Sequence, residues 1–254
     1  GSASGGALAK GALGTPRFSP LGRVQTVSTP FHLVMYVPEG SPAGTHIRYT
    51  LDGSEPTENS PLYDVPFYVR STTIVRARLF CDGYLSPPSS CQSYIFFPHD
   101  RPLTLPVVSI ATDRRYLYDP LIGIYTDGSY QEGKANYSFN WRRPVNIELF
   151  ETSGVPGSLN QLCETRIFGG SSRERKLHSL VLYANKRFGT KRFNYEFFPD
   201  QRPGFADYKS IALRNGGNDY HDLYMRDAIA QRVMADNTDI DWQAWRPAII
   251  YFNG

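Results

Sequence analysis

ETRIFGGSSRERKLHSLVLYANKRFGTKRFNYEFFPD, residues Glu164–Asp200, reads as strand, turn and strand. A strand-like run ends at Phe168, Gly169-Gly170-Ser171-Ser172 turns the chain, and Leu177–Tyr183 re-enters a strand. Between Arg166 and Arg192 stand eight Lys/Arg residues against one acid, Glu174, a local charge of +7. The chain total is +3, so taking away +7 leaves −4 for the rest. A Gly/Ser turn followed by cations beside a buried strand can hold an anion, a phosphate in particular. Lys176, His178, Leu180 and Leu182 recur at period two and so share one strand face. Leu180 and Leu182 would face the core, leaving a cation at the mouth of that face. From such a position a strand lysine pairs with nucleotide phosphates in protein kinases. The same pattern also fits a solvated basic edge that discourages edge-to-edge pairing.

On the C-terminal side, Phe193–Phe198 and Lys209–Arg214 read as strands, and residues 215–219 (NGGND) break the second. Asp222–Asp236 reads as a helix with Met225, Ile229 and Val233 four apart, Leu223 and Ala230 flanking, and Asp219 as its cap. Arg246–Phe252 reads as a strand running into an Asn253-Gly254 turn with no second strand to receive it, the mark of a domain cut short. On the N-terminal side, Leu105–Ala111 is an apolar run suited to a buried strand. Tyr116–Pro120 and Gly123–Tyr125 form a loop, and Arg143–Phe150 alternates with Val145, Ile147 and Leu149 on one face. Gly154–Gly157 turns the chain into Leu162–Phe168. Asn136-Tyr137-Ser138 fits a glycosylation sequon, as chance matches also do.

Residues 24–97 hold Phe31–Tyr36, His46–Leu51, Val65–Val69, Thr73–Phe80 and Gln92–Phe97, short strands separated by turn residues. This spacing predicts an antiparallel β-sandwich. Residues 98–104 read as a Pro-bearing linker, and residues 1–23, opening on GSASGGALAKGALG, as a flexible leader or cloning remnant. The 17 Tyr and 15 Phe, with 22 Gly and 19 Pro, favour short strands and turns over long helices. The fold class expected is therefore α+β: an all-β immunoglobulin-like sandwich, then a mixed sheet with one main helix.

Cys81 ends one strand-like run and Cys91 begins the next, which allows either a disulfide, as in an exported protein, or two reduced thiols. Cys163 has no evident partner. No apolar run approaches the roughly 18 residues of a membrane helix, and no signal peptide stands in the chain. The small net charge excludes a general nucleic-acid binder. G-x-S-x-G, H-E-x-x-H, Walker and G-x-G-x-x-G motifs are absent. The scattered His32, His46, His99, His178 and His221, without any C-x-x-C, suggest no zinc site.

Two resemblances add to this reading. Residues 49–57 (YTLDGSEPT), Tyr63, residues 73–77 (TIVRA), Gly83 and Ser86 resemble the small immunoglobulin-like domain at the C-terminus of chitobiases and β-hexosaminidases. The resemblance implies an accessory module without catalytic residues, with Asp52 a turn former. From about Leu105 to the last residue, several motifs in order resemble the spore-coat-protein-H (CotH) kinase family: residues 105–125 (LPVVSIATDRRYLYDPLIGIY), 140–151 (NWRRPVNIELFE), 164–200, 208–219 (YKSIALRNGGND), 225–231 (MRDAIAQ) and 246–254 (RPAIIYFNG). Exported bacterial members of that family often carry a chitobiase-like module before the kinase domain.

The CotH resemblance implies an atypical kinase-like fold whose studied members transfer phosphate from ATP to Ser residues of coat proteins. It places Gly169, Gly170, Ser171, Ser172 and Arg173 beside the nucleotide. His178 stands where the family has a phosphate-binding lysine, and Lys176 is the neighbouring cation that can replace it. Arg214 and Asn215 match the family's Leu-Arg-Asn strand end. Residues 252–254 (FNG) match the start of a hairpin before the family's acidic catalytic and metal-binding motifs. On this reading ATP and Mg serve the full-length exported protein, the present chain is incomplete for catalysis, and no metal ligand or catalytic residue is assigned. Expected partners are a surface or coat protein substrate or a cell-wall glycan. The alternative is a non-catalytic cell-surface protein whose degenerate kinase-like domain binds a partner or carbohydrate.

Overall fold

A computed structural model describes residues 9–98, 100–153, 159–219 and 221–254, with Asn218 described by its backbone alone. The expected turn at Gly154–Gly157 lies outside the described residues, as do His99 of the expected linker and the first eight residues. The chain divides into two compact units, Gly1–Asp113 with Glu148–Gly157 and Ile250–Gly254, and Arg114–Ile147 with Ser158–Ile249.

The first unit is built from short strands: β1 (Arg17–Ser19), β2 (Arg23–Gln25), β3 (Phe31–Tyr36), β4 (His46–Thr50), β5 (Phe67–Val69), β6 (Thr73–Phe80), β7 (Ser90–Phe96) and β8 (Val107–Ala111). One sheet runs β1-β3-β5 and another β2-β7-β6-β4. The β1/β3, β3/β5, β4/β6 and β6/β7 pairs are antiparallel, and β2 lies parallel to β7. Alternation makes the sandwich. Phe18, Leu33, Met35 and Val69 from the first sheet share a core with Ile47, Val75, Ala77, Leu79 and Tyr94 from the second. Burying each large apolar side chain stabilises the unit by roughly 1.5–3 kcal/mol.

Two sequence expectations are corrected here. Residues 10–23, read as leader, belong to the sandwich. They include β1 and the first residue of β2, Leu13 is 6% exposed, and the backbone of Leu13 and Leu85 pairs at 2.9 Å. Strands of three residues are too short for period-two alternation to stand out in the sequence. The unit also continues past residues 98–104 to Asp113. Every residue of β8 is buried, Ser109 included, as its nearly continuous apolar run predicts.

The cysteines form no disulfide. The β6/β7 register sets Cys91 opposite Arg76, five residues from Cys81. At about 3.3 Å per residue that is some 16 Å, beyond disulfide reach.

The second unit opens with α1 (Arg114–Tyr118) and a long loop. Asn136, 0% exposed, fastens that loop by giving its amide hydrogens to the carbonyls of Pro120 (2.9 Å) and Gly123 (3.0 Å). The sequon asparagine is thus a buried structural residue. Then come β9 (Arg143–Phe150), whose last three residues belong to the first unit, β10 (Leu159–Phe168), β11 (Ser179–Tyr183), the two-residue pair β12 (Phe193–Asn194) and β13 (Asp207–Tyr208), β14 (Ser210–Leu213) and α2 (Arg226–Asn237); β15 (Ile249–Phe252) follows, all but Ile249 in the first unit. Within the unit the strand order is β14-β11-β10-β9, with β10/β11 and β11/β14 antiparallel.

β11 is therefore an interior strand, and the basic-edge reading does not hold. Ser179, Leu180, Val181 and Leu182 are all buried, and apart from Arg166 in β10 the cations stand in the segments on either side. α2 starts four residues later than expected. Its apolar residues face solvent, with Ile229 47% and Val233 54% exposed. Spacing by four alone specifies too narrow a stripe to be buried.

Candidate functional site

The strand registers bring most of the sequence-predicted site to one end of a sheet. Phe168, the last residue of β10, lies opposite Ser179, the first of β11, and Leu180 lies opposite Leu213, the last of β14. The segments 169–178 and 214–219 therefore leave the same end. Gly169, Gly170, Ser171, Ser172, Arg173, Lys176, His178 and Arg214 are gathered there.

The turn is tight. Gly169 has φ +120°, and a Cβ at that position would stand 2.2 Å from the Ser172 hydroxyl, so only glycine fits. Ser171–Glu174 form one 3-10 turn. Arg173 Nε donates back to the Gly169 carbonyl at 2.6 Å, one Nη donates to Ser138 O at 3.0 Å, and the other to Asn140 Oδ1 at 2.8 Å. Burial, and then the nearby Arg166 charge, lower the Arg173 pKa.

Lys176 is exposed in the bend before β11, outside the pleat that the period-two reading extended back to it. His178 is half-buried. Its ring lies 4.3 Å from that of Tyr125 and 5.0 Å from that of Tyr137, and its backbone N–H donates to the Tyr125 hydroxyl at 2.9 Å. Burial lowers the His178 pKa against smaller opposing effects from the Arg173 backbone and Asp127. The imidazole is therefore neutral at pH 7, and a neutral ring does not do the work of a phosphate-binding lysine.

Arg214 is paired with Asp227 in the first turn of α2. Beside it, the Ser179 hydroxyl and Asn215 are buried and bonded to each other. The Asp219 carboxylate accepts the backbone N–H of Arg226 at 3.0 Å and that of Leu223 at 3.4 Å, and takes an ion pair from the Arg226 side chain at 3.2 Å. The Arg226 N–H is the largest cause holding its pKa below the usual carboxylate range. Asp219 thus caps α2 from seven residues upstream.

Several residues here had no sequence signal. Tyr125 and Tyr137 flank His178 from a loop some 40 to 50 residues away, a proximity that only the fold creates. Arg166 counted towards local charge, but its bond to Asn140 (2.8 Å) follows from strand pairing and loop placement. In and around the rest of the basic stretch, charge is spent on structure. Arg187 and Arg142 pair with the buried Glu164 at 3.3 and 3.4 Å, and Arg192 with Asp207 at 2.9 Å. Two open depressions, along residues 127–135 and beside Val24–Val27 with Asp100–Leu103, are lined by other residues. No cluster of three metal-ligating side chains stands among the described residues, nor is any described helix long and apolar enough to cross a membrane. Chemically, the sheet end offers cations and neutral donors, a composition suited to an anion.

A family model described as the chitobiase/beta-hexosaminidase C-terminal domain matches residues 26–90, about a quarter of the chain. The matched segment carries β3 to β6 of the sandwich and ends at the first residue of β7. No curated protein and no solved structure matches the chain.

Proposed function

We propose that the chain joins a chitobiase-type accessory sandwich to part of a CotH-like kinase domain, and that the full-length exported bacterial protein is an atypical ATP-dependent protein kinase acting on Ser. On this reading the sheet end at Gly169–Arg173, Lys176 and Arg214 receives nucleotide phosphates, and the substrate is a surface or coat protein. One observation carries the reading: residues that the resemblance assigns to the nucleotide, separate in sequence, leave the same end of β10, β11 and β14. The exposed Lys176 is the cation best placed to reach a phosphate, since Arg173 and Arg214 are already engaged. The described side chains suit the phosphates, and among them no group of three His, Cys, Asp or Glu side chains is placed to hold magnesium.

Thermal denaturation with and without Mg-ATP tests this. A ligand at one hundred times its Kd stabilises by about 2.7 kcal/mol, so the wild type should melt higher with nucleotide and Lys176→Ala should not. An unshifted wild type removes the proposal.

A second reading is a non-catalytic surface protein that binds a partner or glycan through a degenerate kinase-like domain. It is favoured by His178, a neutral, half-buried ring between Tyr125 and Tyr137 where the resemblance expects a lysine.

A further inference from the structure

Arg166 and Arg173 are drawn together by a single neutral atom. Arg166 Nη1 and Arg173 Nη2 each donate to Asn140 Oδ1 at 2.8 Å. Two such bonds place the nitrogens within 5.6 Å of one another (twice 2.8 Å). Their remaining bonds are also to neutral acceptors: Arg166 Nε to the Tyr183 hydroxyl at 2.8 Å, and Arg173 to the carbonyls of Gly169 and Ser138. Among the described residues no carboxylate pairs with either guanidinium, whereas Glu164, Asp207 and Asp227 each pair with another arginine. Like charges held this close repel unless an anion offsets them.

We infer that Arg166, Arg173 and Asn140 form a seat for a tetrahedral oxyanion of the phosphate class. Each guanidinium has five N–H donors. Arg173 commits three of them and Arg166 two, so each keeps at least two for a ligand. The planar fork of arginine matches the paired oxygens of phosphate. Both side chains are half-buried and Asn140 is exposed, so the pair is held in place yet reachable from solvent. The 3-10 turn and the bond to Tyr183 fix the two forks before any ligand arrives, which lowers the ordering cost of binding. The seat shares Arg173 with the nucleotide reading but uses neither Lys176 nor His178, so the two fail separately in the test below.

Asn140→Asp tests it with one atom. The variant keeps an oxygen where both arginines donate and adds the missing negative charge. Melting temperature is measured in sodium chloride and in millimolar sodium phosphate at matched ionic strength. The wild type should melt higher in phosphate than in chloride. Asn140→Asp should melt above the wild type in chloride and gain nothing from phosphate. Arg166→Gln should also lose the phosphate response. A wild type indifferent to phosphate, or an Asn140→Asp protein that retains the response or is no more stable in chloride, overturns the seat. Metal-free ATP identifies the source. An ATP response lost in Asn140→Asp places a nucleotide phosphate on the two arginines, and a phosphate response without an ATP response points to free or protein-borne phosphate. An ATP response that vanishes only in Lys176→Ala belongs to the nucleotide reading and leaves the phosphate result to decide the seat.

Discussion

Ser179 and Asn215 exchange two hydrogen bonds: the serine hydroxyl donates to Asn215 Oδ1 at 2.8 Å and accepts the Asn215 backbone N–H at 3.0 Å. Asn215 also donates to the Leu177 carbonyl and accepts the Gly217 N–H at 2.9 Å. The first residue of β11 is thereby fastened to the loop after β14, and both residues are at most 4% exposed. Ser179→Ala would leave a buried backbone N–H unpaired, a loss of about 1–3 kcal/mol. Urea denaturation should show that loss, and hydrogen exchange should show faster opening at residues 214–219. A Ser179→Ala protein as stable as the wild type would mean that water replaces the hydroxyl at no cost.

The same accounting applies to Arg76 in the sandwich. Its side chain is 6% exposed and pairs at 3.1 Å with Glu55, which also accepts the Ser89 N–H and hydroxyl. The two halves of the chitobiase-type motif, the Asp52–Thr57 turn and the Thr73–Ala77 strand, meet through this pair. Glu55→Gln leaves the guanidinium buried without a counter-charge. Breaking a buried pair costs about 3–5 kcal/mol, and the partial exposure of Glu55 (41%) puts the expected loss near the lower end. Charge reversal at exposed Glu39 should change stability far less. Comparable midpoints for the two variants would remove the argument.

Strand patterning made β3, β6 and β9 legible to the residue: β3 buries Leu33 and Met35 on one face, whereas β6 and β9 are β-branched and aromatic runs buried on both faces. It failed for β1 and β2, whose three residues carry too little pattern. The start of α2 was misplaced for a different reason. Asp219 was recognised as the cap, but the chain passes through Tyr224 at φ +58° before the helix begins, and no spacing rule anticipates that excursion. Of the candidate site, the turn and the basic charge could be read from the sequence. The Tyr125–His178–Tyr137 contact, the Arg214–Asp227 pair and the shared Asn140 oxygen depend on segments that only the fold brings together.

Gly53 tests the turn of the sandwich module more sharply than any polar residue there. It has φ +82°, and a Cβ would lie 2.5 Å from the Thr112 carbonyl and 2.7 Å from Asn253 Oδ1. Asn253 Oδ1 in turn accepts the Thr112 N–H at 2.8 Å. Gly53→Ala therefore combines an unfavourable backbone region with a steric clash against backbone, and should cost about 1–3 kcal/mol or more. Gly40→Ala, also at positive φ but with nothing within 4 Å, should show the backbone cost alone. The difference between the two melting temperatures measures the clash, and equal values would show that Thr112 and Asn253 move aside freely.

Glu148 gives the first unit a pH dependence of predictable sign. It is 4% exposed, and burial pushes its pKa up to about 8, with hydrogen bonds from Ser93 opposing the shift. The folded protein therefore holds this proton more tightly than the unfolded chain, whose carboxyl titrates near 4.5. Between those values the native state carries the proton and the unfolded state does not, so stability falls as pH rises. The slope from this group is at most about 1.4 kcal/mol per pH unit, and the effect is complete above the folded pKa. Glu148→Gln keeps the shape of the protonated acid and removes the titration. Denaturation midpoints between pH 5 and 8 should decline for the wild type and decline less for Glu148→Gln, with the variant gaining most at pH 8. Parallel curves would assign the slope to other groups and show that Glu148 ionises without cost in its buried position.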